Sequence, residues 1–467
     1  MEPKQYLELF LATRQPTAED RRSLLEAFCS QEQYLDAASR ILALQEMLMK
    51  DFAKKNRIED IRRQQVLIPN GTVGKPYEAR LLPEQYGWQD MVAFRLEGLD
   101  RSGLAYDAAT GQLSGIPEEA GDHKLQLQYQ FADDVATGEW QERPLMLIVN
   151  PDPRSLWKNQ PSEKDALYWK EDEITVFEPL GNKYLVVSSK RGRSHANNGT
   201  FRDDDFAFRY FPESGWSLIA VSDGAGSARY AREGARVACK AVSDFFADRL
   251  PAGAFNDLDD LLHGAGAVLE QETQKKISHI VYHQLGGAAR YAFRQLEALA
   301  AETGAATSDF HATLIFTLVK KYEQGYAILS FGVGDCPIIL WYNDLQSINL
   351  MNKMDVGEFG GGTRFITLPE IFQNDTFAGR FGFKWVADFN YLVMMTDGIY
   401  DPKFEVEANL EKPERWQAFL ADLQGNNPEA AAVVLDAANP ELPAQLSAWM
   451  DFWSPGNHDD RTLAILF

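Results

Sequence analysis

The chain is short of cysteine, of positive charge and of long apolar runs, and each shortage closes off a class of function. Only three cysteines occur in 467 residues, Cys29, Cys239 and Cys336, far apart and without a CxxC pair. A disulfide framework or a zinc–thiolate site is not expected, and a reducing compartment fits. Lys and Arg total 46 against 68 Asp and Glu, a formal net charge of -22. A phosphate backbone wants a basic face, so nucleic acid is not an expected partner. No uncharged apolar run approaches the roughly 18 residues of a membrane span. The start, MEPKQYLELF, lacks the basic segment and apolar core of a signal peptide. The expectation is a cytoplasmic protein with no membrane partner.

What is present fits a globular chain of two or three domains, with 45% hydrophobic and 24% charged residues. Residues 1–62 read as a helical module. Tyr6, Leu7, Phe10 and Leu11, then Leu24, Leu25 and Phe28, then Ile41, Leu42, Leu44 and Met47 recur at helical spacing. The run from Thr17 to Asp20 resembles a capping box. Residues 63–150 change to a period of two, most clearly from Lys124 to Phe131, where apolar and polar residues alternate. Residues 151–178, with Pro151, Pro153 and Pro161, read as a polar linker. Residues 179–467 mix apolar strands with helices, one near Ala231–Leu250 and one near Leu258–Thr303 that Gly286 and Gly287 are expected to interrupt.

Within the second segment, the stretch from Gly103 to Gly121 (GLAYDAATGQLSGIPEEAG) resembles the Ig-like or cadherin-like repeat family. The resemblance implies a small all-β sandwich that mediates binding and carries no catalytic residues. The calcium motifs of cadherin-like domains are not evident, so no calcium is expected there.

Four acidic clusters punctuate the C-terminal part: Asp203 to Asp205, Asp223-Gly224, Asp397-Gly398 and Asp459-Asp460. Each stands at the boundary of an apolar run, so each carboxylate is aimed by the rim of a buried strand. Asp223 and Asp397 are followed by glycine, which lets a ligand or a carbonyl approach closely. Several such carboxylates in one place would repel one another unless cations neutralised them. Oxygen ligands without His or Cys favour Mg²⁺ or Mn²⁺ over zinc.

The order of these clusters resembles that of the type 2C metal-dependent protein serine/threonine phosphatases, in their bacterial branch. Ser194-His195, Gly199 and Asp203-Asp204 resemble the family's opening S-H-x-x-x-G-x-x-x-E/Q-D. Residues 223–227 resemble its D-G-A-G-S form, Gly332 to Cys336 its G-x-G-D-S, Thr396 to Gly398 its T-D-G, and Asp459 to Thr462 its D-N-x-T, with Asp460 in the Asn place. The resemblance spans about residues 181–467. It implies an α+β architecture: a C-terminal α-β-β-α phosphatase sandwich, preceded here by the Ig-like sandwich and the N-terminal helical segment.

The resemblance also implies roles. Asp223, Asp397 and Asp459 would be catalytic and would hold two cations, Mn²⁺ or Mg²⁺. Asp223 would bridge them, and the Gly224 carbonyl would complete the second site. Asp203 or Asp204 would serve the second metal, with the register between them open, and Asp335 would support a further, weaker ion. A water shared by two ions would attack phosphoserine or phosphothreonine in a protein substrate.

The chain departs from the pattern twice. Ala225 stands where eukaryotic members have His. Gly199 stands four residues before Asp203, where the family often has a phosphate-binding Arg. Arg202, Arg191, Arg193 and His195 are the candidate replacements. The expected function is therefore a signalling phosphatase, its N-terminal domains recruiting a partner and a cognate Ser/Thr kinase opposing it. A catalytically weak phospho-binding scaffold on the same fold is the alternative. An adhesion or carbohydrate-binding role for the Ig-like domain alone is a third reading, disfavoured by the missing secretion signal.

Overall fold

The computed structural model describes every residue except 16, 17, 267, 356–361 and 374. It divides into two compact units, residues 1–156 and 157–467.

The first unit opens with helices α1 (Pro3–Arg14), α2 (Arg22–Cys29) and α3 (Glu32–Arg63). Thr17, the expected cap, lies outside the described residues, and α2 follows a short turn of 3-10 helix at Glu19–Arg21. Then come β1 (Gly71–Thr72), β2 (Tyr77–Arg80), β3 (Met91–Glu97), β4 (Leu104–Asp107), β5 (Gln112–Gly115), β6 (Gly121–Phe131), α4 (Ala132–Thr137) and β7 (Gln141–Asn150). They form a four-stranded sheet, β1-β7-β6-β3, and a three-stranded sheet, β2-β5-β4. Leu113 from one sheet and Leu127 and Leu147 from the other share a single core with Ile61 of α3. In β6 the alternation is imperfect: Gln128 and Gln130 are buried as well. Gln128 accepts a hydrogen bond from Arg95 and donates one to Glu142, and Gln130 donates to the Glu139 carbonyl.

The second unit contains β8 (Glu173–Leu180), β9 (Lys183–Lys190), α5 (Arg193–Asn198), β10 (Asp205–Phe211), β11 (Trp216–Ser222), α6 (Ala231–Arg249), α7 (Asn256–Leu262) and α8 (Gln271–Thr303). It continues with β12 (Leu314–Tyr322), β13 (Gly325–Val333), β14 (Ile338–Tyr342), β15 (Ser347–Leu350), β16 (Phe381–Val386), β17 (Phe389–Met395), α9 (Asp397–Phe404), α10 (Pro413–Leu423), α11 (Leu442–Trp449) and β18 (Arg461–Leu466). One sheet has the order β10-β11-β12-β13-β16, the other β15-β14-β17-β18-β9-β8. The strand pairs within both are antiparallel.

The inner strands β11, β13 and β18 are buried on both faces, which is why they read as near-continuous apolar runs rather than as alternation. The period of two sorts their side chains. Ile219 and Val221 of β11 and Leu392 and Met394 of β17 meet in one core drawn from both sheets. Their neighbours Leu218 and Ala220 join a core with α6 and α8. Val393 and Met395 join a third with α9, α10 and α11.

Two expectations need correction. The 151–178 segment is not a free linker. It divides at residue 156, and its later part packs into the second unit, where Lys170 donates to the Asp204 carbonyl at 2.5 Å and to Asp205 at 3.0 Å. The long helix is interrupted between α7 and α8, not at Gly286 and Gly287. Both glycines lie inside α8, where a Cβ on Gly287 would press on Phe245 at 3.0 Å and one on Gly286 would make ordinary contacts with Phe377 and Phe381 at 3.4 Å. There glycine serves close packing rather than a turn.

Ile328, fully buried on β13 in the core that both sheets share, provides a test. Ile328→Ala is expected to cost about 2–5 kcal/mol in urea unfolding of the full chain. A loss below about 1 kcal/mol would mean that no close-packed interface exists at that point.

Candidate metal centre

The registers of two antiparallel pairs bring the acidic clusters to one end. Asp205 at the start of β10 lies opposite Ser222 at the end of β11, so Asp203 and Asp204 arrive beside Asp223. Met395 at the end of β17 lies opposite Leu463 of β18, so Asp397 arrives beside Asp459 and Asp460. The backbones come very close there. A Cβ on Gly398 would fall 1.9 Å from the Asp460 carbonyl oxygen, and one on Gly224 would lie 2.7 Å from that of Asp203. Glycine is required at 398 by contact alone.

Threonines pin this frame. The Thr313 hydroxyl accepts from the Asp223 N–H at 2.9 Å, and the Thr313 N–H donates to the Asp223 carbonyl at 2.8 Å. Asp204 is buried, and its Oδ2 accepts from the hydroxyls of Thr396 and Thr462, both at 2.8 Å. Its Oδ1 is equally buried and has no partner. Asp335 repeats the pattern: Thr363 donates to Oδ2 at 2.6 Å, while Oδ1 is buried and unpartnered. A buried carboxylate oxygen without a donor is costly unless a cation meets it.

Electrostatics agree. Burial and the facing charges of Asp397, Asp204, Asp459 and Asp335 hold the Asp223 carboxyl well above its ordinary range. Asp397 is raised by burial and by Asp459, Asp335 and Asp204. Asp459 is raised by burial and by Asp460. Burial and Asp460 push both Asp203 and Asp204 up to about 7. One acid goes the other way. Burial opposes ionisation of Asp460, but His195 and the N–H groups of Gly192 and Asp203 hold it below the usual range. His195 Nδ1 lies 3.0 Å from Asp460 Oδ1. Burial disfavours its charge, yet that hydrogen bond and the charges of Asp460, Asp203 and Asp459 raise it to about 9. The pair is an imidazolium carboxylate, and it neutralises the Asp that stands in the Asn place.

The donor set thus fits hard divalent cations: clustered carboxylates, two of them with unpartnered buried oxygens. Ligand atoms of Asp223, Asp335 and Cys336 come within 4.8 Å of one another, and so do those of His195, Asp203 and Asp460.

Arg202 does not serve as expected. It is fully buried, and its guanidinium donates to the Glu171 carbonyl, Ser189 Oγ and the Asp204 carbonyl. A substrate phosphate has no access to it. His195 is committed to Asp460 and sits against the acids as a counter-charge. The glycine run Gly360 to Gly362 falls in part outside the described residues. Sequence reasoning missed Thr313, Thr363, Thr396, Thr462 and Lys170. Only Thr396 and Thr462 carried a signal, standing inside the T-D-G and D-D-R-T runs.

The model of the protein phosphatase 2C family matches residues 191–451, more than half of the chain, and the chain belongs to that family. No curated protein matches it. Among solved structures it is similar to the catalytic domain of the serine threonine protein phosphatase PstP in complex with two manganese ions, at 13% identity and a TM-score of 0.35, covering 63% of this chain and 98% of that one. It is also similar to the serine/threonine phosphatase Stp1 from Staphylococcus aureus, at 13% identity and a TM-score of 0.33, covering 64% and 98%. A bacterial serine phosphatase scores 0.32 at 14% identity, covering 60% and 96%.

The raised carboxyls give a signed pH prediction for the metal-free protein. Groups raised on folding bind more protons in the folded state, so their stabilisation is full below the ordinary Asp range and is lost as pH rises through about 7. Melting temperature in EDTA is expected to fall from pH 5 to pH 8. With Mn²⁺ it is expected to rise instead, because ligands must be deprotonated. A metal-free melting temperature that climbs over this window would contradict the clustering.

Proposed function

We propose that the second unit hydrolyses phosphoserine and phosphothreonine in proteins with the help of Mn²⁺ or Mg²⁺. The observation that carries this reading is the convergence of Asp223, Asp397, Asp459 and Asp204, each of which raises the cost of ionising the others, a cost that a bound cation would offset. Family membership supports the reaction class.

In this reading Asp223, Asp397 and Asp459, with the Gly224 carbonyl beside them, would hold the divalent cations. The free Oδ1 of Asp204 favours it over Asp203 as the further ligand. Asp335 supports an accessory ion. Bound divalent ions supply an acidified water and neutralise charge building on the phosphoryl oxygens. The protein's own contribution is position. Thr313 fixes the Asp223 backbone, and Thr396 and Thr462 aim Asp204. His195 and Asp460 keep Asp203 in place, the Asp203 N–H donating to Asp460. The layered cores support an α-β-β-α sandwich, and the two sheets of the first unit support the Ig-like reading. The first unit would recruit or position a phosphoprotein or its kinase.

Ala225 and Gly199, which leave out the family's His and Arg, favour the phospho-binding scaffold as the rival. Phosphate release from a phosphothreonine peptide separates the two. Wild type with millimolar Mn²⁺ is expected to turn over, and Asp223→Ala to lose at least about 100-fold, a few kcal/mol of barrier. No release by wild type at any metal concentration would leave the scaffold.

A further inference from the structure

We propose that His279 and His283 form a second metal site, apart from the carboxylate centre, which takes one borderline cation such as Zn²⁺ or Ni²⁺. The two stand four residues apart on α8, a spacing that stacks side chains on one helix face. Both are exposed. Their Nε2 atoms are 3.0 Å apart, and their rings are 4.3 Å apart at 63°. Two imidazoles so placed lower their energy in one of two ways. One ring donates its N–H to the other, or both lone pairs meet one cation. With metal–nitrogen bonds of about 2.0–2.1 Å, neighbouring ligands on one ion sit about 3 Å apart. The observed separation is that bite.

The two imidazoles supply the protein ligands, and among the described residues no carboxylate completes a set of three with them within 4.8 Å. His279 lines a surface cavity of about 570 Å³ together with Asp257 and Asp260 of α7. Both carboxylates are exposed, and among the described residues no hydrogen bond or ion pair engages either side chain. Lys275 and Lys276 line the cavity too, and Glu272 offsets the first at 3.7 Å. Imidazole suits zinc, nickel and copper, whereas oxygen alone suits magnesium and manganese. The two centres therefore select different metals.

The helix is rigid where the pair stands. Ile277, Val281 and Leu285 are buried on its opposite face in the core under the sheet, so chelation needs no rearrangement of the backbone.

The test is calorimetric titration of Ni²⁺ into the full chain preloaded with Mn²⁺, comparing wild type with His279→Ala and His283→Ala. Both histidines are exposed, and unchanged circular dichroism would verify the fold of the variants. One Ni²⁺ is expected to bind wild type, and each substitution to weaken it by no less than the about 10–100-fold that loss of an outer partner costs. Superimposable isotherms for wild type and His283→Ala would overturn the proposal. So would Ni²⁺ uptake that only Asp223→Ala abolishes, since the ion would then be replacing Mn²⁺ among the carboxylates.

Discussion

Like charges in a confined place organise the second unit. Two carboxylates about 4 Å apart repel by about 4 kcal/mol at an effective dielectric of 20, before any cost of desolvation. Asp223 faces four others in a half-buried position. A fold that gathers such groups without a cation would loosen at that end or keep them protonated. Everything near the cluster reads as a means of holding it together until a cation arrives: the threonine hydroxyls on Asp204, the imidazolium on Asp460, and Lys170 on the adjoining carbonyl and on Asp205.

The sheets supply the geometry. Antiparallel pairing places the start of one strand beside the end of its neighbour, so an acid before β10 meets an acid after β11, and one before β18 meets one after β17. Nothing flexible is needed. The close approach of Gly398 to the Asp460 carbonyl then sets the spacing between the two pairs of strands' ends. Removing that glycine would push Asp397 away from Asp459 whatever else remained.

Much of this was legible in the sequence, and the reasons are particular. Acids at the edges of apolar runs stand out because strands buried on both faces leave few charges nearby. Thr313 and Thr363 did not stand out, since both lie outside the strands and only the distant partners, Asp223 and Asp335, reveal their task. Arg202 misled through adjacency. In extended chain, successive side chains point to opposite sides, so Arg202 shares a side with Asp204 rather than with Asp203, and it goes into the core. Gly286 and Gly287 misled in the same manner, because spacing does not distinguish a glycine that turns the chain from one that admits a neighbouring Phe. Lys170 was hidden in a proline-bearing stretch whose composition matched a linker.

The central claim is that a cation, not a proton, balances the charge among these strand ends. Crystals grown with Mn²⁺ and measured on either side of its absorption edge test this most directly. The account predicts an anomalous peak bounded by Asp223, Asp397 and Asp459. A cleft without a peak at millimolar Mn²⁺, its carboxylates bonded to one another through shared protons, would contradict it.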